Sequence, residues 1–209
     1  VGEFNIGRLF REVEHEYREF PQVVSFIEDL KAYTLSHLEL FKSQEMPEMP
    51  QPASADPPPS RPFQPDPFLP FQINVFVDNS ATEGPLIVIE PNPTWGNLFG
   101  KIERRAFMGT YISDHTMLKA GSLHRANGGY LVVNAQDVLL NPGVWPGLKR
   151  AIRTRELGLE DPAEQLGILV PQGLRPQPVP LDVKVIITGD EQLYRLLSTL
   201  DREDFSEMF

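Results

Sequence analysis

The chain has 209 residues, 41% hydrophobic and 23% charged, so it can bury a packed core and is not a wholly disordered polymer. Its 29 acidic residues against 19 basic leave a formal net charge of −10, which argues against a general nucleic-acid binder, because phosphate contacts need clustered Lys and Arg. The absence of cysteine excludes disulfides, a thiol nucleophile and thiolate metal ligands, and fits a reducing compartment such as the cytoplasm; no run of about 18 apolar residues marks a membrane span.

Residues 1–45 carry a helical period. Ile6, Leu9, Phe10, Val13 and Tyr17 recur at spacings of three and four. Pro21 suits the first turn of a second helix, and Val23, Phe26, Ile27, Leu30, Leu38 and Phe41 resume the apolar face. The pattern predicts two amphipathic helices that bend near Phe20-Pro21. They form either a plain hairpin with solvated charges or an arm that engages partners. The opening stretch, VGEFNIGRLFREVEHE, is too polar and acidic for a signal peptide and is expected to enter a helix part-way along.

Residues 46–71 hold ten of the chain's 21 prolines, Pro57-Pro58-Pro59 among them. Proline fixes φ and removes a backbone donor, so a semi-rigid linker or a loop is expected. A proline-rich ligand for a small recognition domain is the alternative.

Residues 72–209 predict an α/β domain with a mostly parallel sheet and flanking helices. Expected strands are Ile73–Val77, which ends at Asp78-Asn79-Ser80, Leu86–Ile89, which ends at Glu90-Pro91, Tyr130–Val133, which follows Gly128-Gly129, and Val183–Ile187, which ends at Thr188-Gly189-Asp190. Expected helices cover roughly Trp95–Ala106, Val144–Thr154 and Glu191–Leu200.

Several chemical motifs fail on inspection. Gly96-Asn-Leu-Phe-Gly100-Lys101-Ile102 has three residues between its glycines where a phosphate loop needs four, and Ile102 lacks the magnesium-binding hydroxyl. The glycines also fall inside a helical pattern. His15-Glu16 lacks the second histidine of a zinc-protease helix. His115 and His124 have no evident third ligand and are expected to pack or hydrogen-bond. Ser122, flanked by Lys119 and His124, lacks the elbow of a serine nucleophile. The informative stretch is Ala120–Asp137, where paired glycines lead into a buried strand that ends in polar residues. In open α/β sheets ligands sit at such strand ends.

That stretch, Gly121-Ser-Leu-His-Arg-Ala-Asn-Gly-Gly-Tyr-Leu-Val-Val133, resembles the segment around Walker B in Lon-like AAA+ proteases. Further blocks resemble the same family: Ile73–Glu83, Asn92–Glu103, Leu148–Arg153, Pro180–Asp190 and the stretch from Leu200 to Phe209. The likeness covers most of 73–209 and is strongest to the B and C types. Residues 1–45 resemble the end of the family's inserted helical region.

The resemblance implies a partial AAA+ fold from a hexameric ring protease with a Ser/Lys peptidase domain. The Walker A half, the lid and the peptidase domain are not seen in this sequence, so the chain is expected to be an internal fragment without peptidase activity of its own. By the same resemblance Asn134 and Ala135 occupy the Walker B acid positions, and Asp190 the sensor-1 position, where Asn is usual. Neutral Asn134 and Ala135 neither hold magnesium nor polarise water, and an acid at 190 opposes a γ-phosphate. Asp137 is a partial substitute at best, and Arg202 lies out of phase for an arginine finger. The features point to the C type, which admits unfolded polypeptides without ATP. Phe107, Met108 and Tyr111 fall at the pore-loop position and are expected either to grip unfolded substrate or simply to pack. The expected partners are unfolded polypeptides and copies of the parent protein in a cytoplasmic ring, with no nucleic acid, membrane, metal or cofactor. An active motor that uses ATP and magnesium, and an adaptor that works through its helical arm, are the alternatives.

Overall fold

The structure is a computed structural model that describes residues 2–41, 66–160, 174–202 and 205. The chain divides into two compact units, Val1–Gln72 and Ile73–Phe209. Among the described residues no helix is long and apolar enough to cross a membrane.

The first unit is a helical pair. Helix α1 spans Gly2–Glu16 and α2 spans Pro21–Ser36, with Pro21 in the first turn of α2, as the sequence predicts. Lys31 donates to the Glu14 carboxylate at 3.3 Å across the pair. Thr34 is buried, and its hydroxyl is satisfied by the Leu30 carbonyl one turn back. Short 3₁₀ turns at Leu38–Phe41 and Leu69–Phe71 bring aromatic rings together. Tyr33 stacks on His37 at 4.1 Å and meets Phe71 edge-on at 5.7 Å, and Phe41 meets both Phe68 and Phe71 edge-on. These contacts tie residues 66–71 to the helices. The rest of the proline-rich segment, 46–65, lies outside the described residues.

The second unit is built on a three-stranded parallel sheet, which bears out the α/β reading of a partial AAA+ fold. Strands β1 (Ile87–Glu90), β6 (Tyr130–Asn134) and β9 (Lys184–Thr188) lie side by side in that order. Ile87 pairs with Tyr130 and Tyr130 with Lys184, so the strand tips Asn134 and Thr188 are level. Helix α3 (Trp95–Phe99) and helix α4 (Ser122–Arg125) fall between β1 and β6. Helices α5 (Ala135–Leu140) and α6 (Val144–Thr154) fall between β6 and β9, and α7 (Glu191–Leu200) comes after β9. The strands step one way across the sheet. Right-handed crossovers then put both sets of connections on one face. Burial obeys that rule. Val88, Leu131, Val133, Val185 and Ile187 pack into the core with Leu98, Leu123 and Leu148. On the other face Ile87, Ile89 and Ile186 are 57%, 71% and 45% exposed.

Two predicted elements need correction. Ile73–Val77 alternates like a strand but pairs with nothing among the described residues and has no regular structure. Its alternation and the turn signal that follows it at Asp78-Asn79-Ser80 are both local, and pairing needs a neighbour. The helix expected over Trp95–Ala106 stops at Phe99. Gly100 takes φ 83°, and a Cβ there would collide with the Lys119 carbonyl, so the backbone turns out of the helix. Short ribbons take the place of the second half of that helix: β2 (Lys101–Ile102) pairs with β5 (Leu118–Lys119), and β3 (Arg105–Phe107) with β4 (Thr110–Ile112). A last ribbon pairs β7 (Glu156–Leu157) with β8 (Val179–Pro180).

Candidate functional site

The structure brings Asn134, Ala135 and Asp190 together at the carboxyl end of the parallel sheet, and it gives the two polar residues a local task. Asn134 ends β6 and caps α5. Its side-chain oxygen accepts from the amides of Gln136 at 2.9 Å and Asp137 at 3.3 Å. Asp190 lies just past β9 and caps α7, accepting from the Leu193 amide at 2.7 Å. Asn and Asp suit this position because a short side chain reaches back to the orphan amides of the first turn. The negative charge of Asp190 also complements the positive end of α7. Ala135 is buried as the first residue of α5, and a Cβ on Gly189 would lie 3.4 Å from its methyl, so the two strand tips are in van der Waals reach.

A cavity of about 670 Å³ opens beside the tip of β9, bordered by Ala135, Gly189, Asp190, Tyr194, Ser198 and Arg202. Chemically the tip of β6 offers an amide already engaged by two backbone donors and a methyl group. The carboxylate at the neighbouring tip, Asp190, holds a helix start. Asp137 lies in the first turn of α5, half-buried, with its amide committed to Asn134. Arg202 borders the cavity, a placement that its position in the sequence did not suggest. Among the described residues no cluster of His, Asp and Glu is arranged to hold a metal ion.

Phe107, Met108 and Tyr111 belong to a separate feature, the β3–β4 hairpin. Met108 and Gly109 form its two-residue turn with φ of 46° and 80°. Positive φ at both centres matches the twist of the flanking strands, and it places a methionine in the left-handed region, which costs roughly 1 kcal/mol. Met108 and Tyr111 are 81% and 64% exposed. The hairpin therefore holds flexible and aromatic apolar groups in water at a strained tip.

The sequence did not reveal a buried polar network at the end of β1. Glu90 is 7% exposed, and Ser122, fully buried at the start of α4, donates to its carboxylate. The Asn92 amide donates to the same carboxylate at 3.0 Å, and the Arg125 guanidinium stands 3.6 Å away. Arg125 also donates to the Ser122 hydroxyl at 3.1 Å, and that hydroxyl reaches the Asn97 carbonyl at 2.9 Å. Ser122 is thus a structural pin between β1, α3 and α4. Beside it His124 is 5% exposed and meets Phe76 edge-on at 4.8 Å, and burial pushes its pKa down to about 4. Its Nδ1 faces the Gly121 amide at 3.4 Å, so the imidazole accepts there and is neutral at pH 7. His115 lies in a short 3₁₀ turn that Asp114 caps, and the Thr116 hydroxyl and amide hold the Asp114 carboxyl below its usual range.

A family model described as LonB-like, AAA domain, matches residues 83–209. No curated protein matches the chain.

Proposed function

The chain belongs to the LonB-like AAA domain family, and from that premise we propose that it is the polypeptide-handling module of a Lon-related serine protease whose nucleotide site no longer turns over. The observation that carries the reading is the tip of β6. Where the family resemblance expects the magnesium-holding and water-activating acids, Asn134 spends its oxygen on two amides of α5 and Ala135 is a buried methyl. Losing such a preorganised group costs orders of magnitude in rate. Asp190 adds an acid at the neighbouring tip, where it would repel a terminal phosphate.

The β3–β4 hairpin supports the other half of the reading. An unfolded chain offers no fixed shape, so contacts to it are apolar and adaptable, which suits Met108 and Tyr111. On this reading the parent forms a ring, the hairpins face its passage, and unfolded chains reach a peptidase chamber without ATP consumption. The test uses the full-length protein and a labelled unfolded casein. Equal degradation rates with and without magnesium-ATP are expected. Met108→Ser with Tyr111→Ala should slow casein degradation about 10-fold or more while cleavage of a short free peptide is unchanged. Degradation that stops without ATP would refute the proposal in favour of the motor reading, which draws on the cavity beside Asp190 and Arg202.

A further inference from the structure

The chain holds five methionines and no cysteine. Peroxides oxidise sulfur ahead of other side-chain atoms, and with no thiol to compete that chemistry falls to the thioethers. Met46, Met49 and Met208 lie outside the described residues. The two that are described differ in access. Met117 closes the short 3₁₀ turn after Asp114 and is half-buried. Met108 stands at the tip of the β3–β4 hairpin and is 81% exposed.

The backbone gives an independent reason to single out Met108. It takes φ 46°, followed by Gly109 at φ 80°. Asn or Gly holds the first position of such a turn without the strain that a longer side chain brings. What the tip gains from methionine is therefore its side chain, and strain kept at an exposed point is a mark of function. Tyr111, paired across the ribbon with Ala106 and 64% exposed, is the other apolar group held in water there.

We propose that Met108 is a reversible oxidation site through which hydrogen peroxide weakens the hairpin's hold on unfolded polypeptide. The proposal rests on the reading of the hairpin given above and adds its regulation. The sulfur lone pair attacks one peroxide oxygen, so an S–O bond forms as the O–O bond breaks. The departing hydroxide takes the proton left on the transferred oxygen, and one water is released. Sulfur loses the two electrons that peroxide gains. A dithiol reverses the change, giving back the thioether with one water and one disulfide. The sulfoxide oxygen is a strong hydrogen-bond acceptor that holds water, so apolar contact at the tip then requires stripping that water away. Tyr111 is untouched by this chemistry, so the hold is weakened and not abolished.

The full-length protein is treated with hydrogen peroxide, quenched with catalase, and divided between mass spectrometry and degradation of labelled unfolded casein. Sulfoxide should form at Met108 at least about fivefold faster than at Met117, following their exposure. The treated protein should degrade casein about threefold more slowly or worse, with cleavage of a short free peptide unchanged. Methionine sulfoxide reductases with dithiothreitol should restore the rate. Each variant is read as the ratio of its treated to its untreated rate, whatever its starting rate. That ratio should rise to about one in Met108→Leu, which has no sulfur at the tip, and keep the natural value in Met117→Leu. Circular dichroism of each protein checks that the fold is retained. An equal fall in Met108→Leu, an unchanged casein rate with Met108 oxidised, or oxidation of Met117 ahead of Met108 would overturn the proposal. Failure of the hairpin reading itself shows separately, as natural casein degradation by Met108→Ser with Tyr111→Ala. A slowed double variant beside a natural protein that peroxide leaves unaffected would overturn the regulation alone.

Discussion

Lowering the pH from 7.5 to 5 should destabilise the second unit chiefly through one buried side chain, His124. In the folded chain its pKa is pushed down to about 4 by burial, against an ordinary value of 6.5. Charging it means placing an imidazolium beneath Phe76 with the Gly121 amide, itself a donor, facing Nδ1. Proton counting sets the sign. Between pH 6.5 and 4 the unfolded chain binds more protons than the folded one, so stability is complete above about pH 6.5 and falls as the pH drops toward 4. The full difference corresponds to roughly 3 kcal/mol, and about 2 kcal/mol of it is lost by pH 5. Both tryptophans, Trp95 and Trp145, lie in this unit, so their fluorescence reports its unfolding alone. Urea titrations at both pH values, on the natural chain and on His124→Gln, isolate the contribution. The natural chain should lose about 2 kcal/mol more than the variant over this interval. Equal losses in both would refute the assignment of the pH dependence to this ring.

Other substitutions probe the geometry around the candidate site. Asn134→Ala leaves the Gln136 and Asp137 amides uncapped and should cost about 1 kcal/mol in the same urea assay, whereas Asn134→Asp should change stability by less than about 0.5 kcal/mol. Gly129→Ala places a Cβ on the Leu86 carbonyl, the acceptor that the Tyr130 amide uses where β1 meets β6, and should cost about 3 kcal/mol or more in urea unfolding. Met108→Gly removes a side chain from a left-handed position. Hydrogen exchange at the hairpin amides should slow about fivefold, corresponding to roughly 1 kcal/mol.

The sequence discloses whatever rests on local pattern. The runs that became β1, β6 and β9 were legible because each is a short apolar, mostly β-branched stretch bounded by turn residues. So was the break between α1 and α2, since Pro21 can only open a helix there. Features made by distant partners were not legible. Ile73–Val77 has the alternation of a strand, and nothing local says that no neighbour among the described residues pairs with it. The ribbons that replace the second half of the helix expected over Trp95–Ala106 are two or three residues long and exist only through their partners. Glu90 lies far in sequence from Ser122 and Arg125 and meets them only where α4 folds back on β1. At the strand tips the residues were identified by family likeness, but their present task was missed. Asn134 before Ala135 and Asp190 before Glu191 are also ordinary helix-start signals, and the structure uses them as such.

The claim that the β6 tip cannot support nucleotide hydrolysis is tested most directly by phosphate release from magnesium-ATP in the full-length protein, natural and Asn134→Ala side by side. The same background rate is expected in both, with no saturation by ATP. Saturable turnover by the natural protein that Asn134→Ala abolishes would contradict the claim.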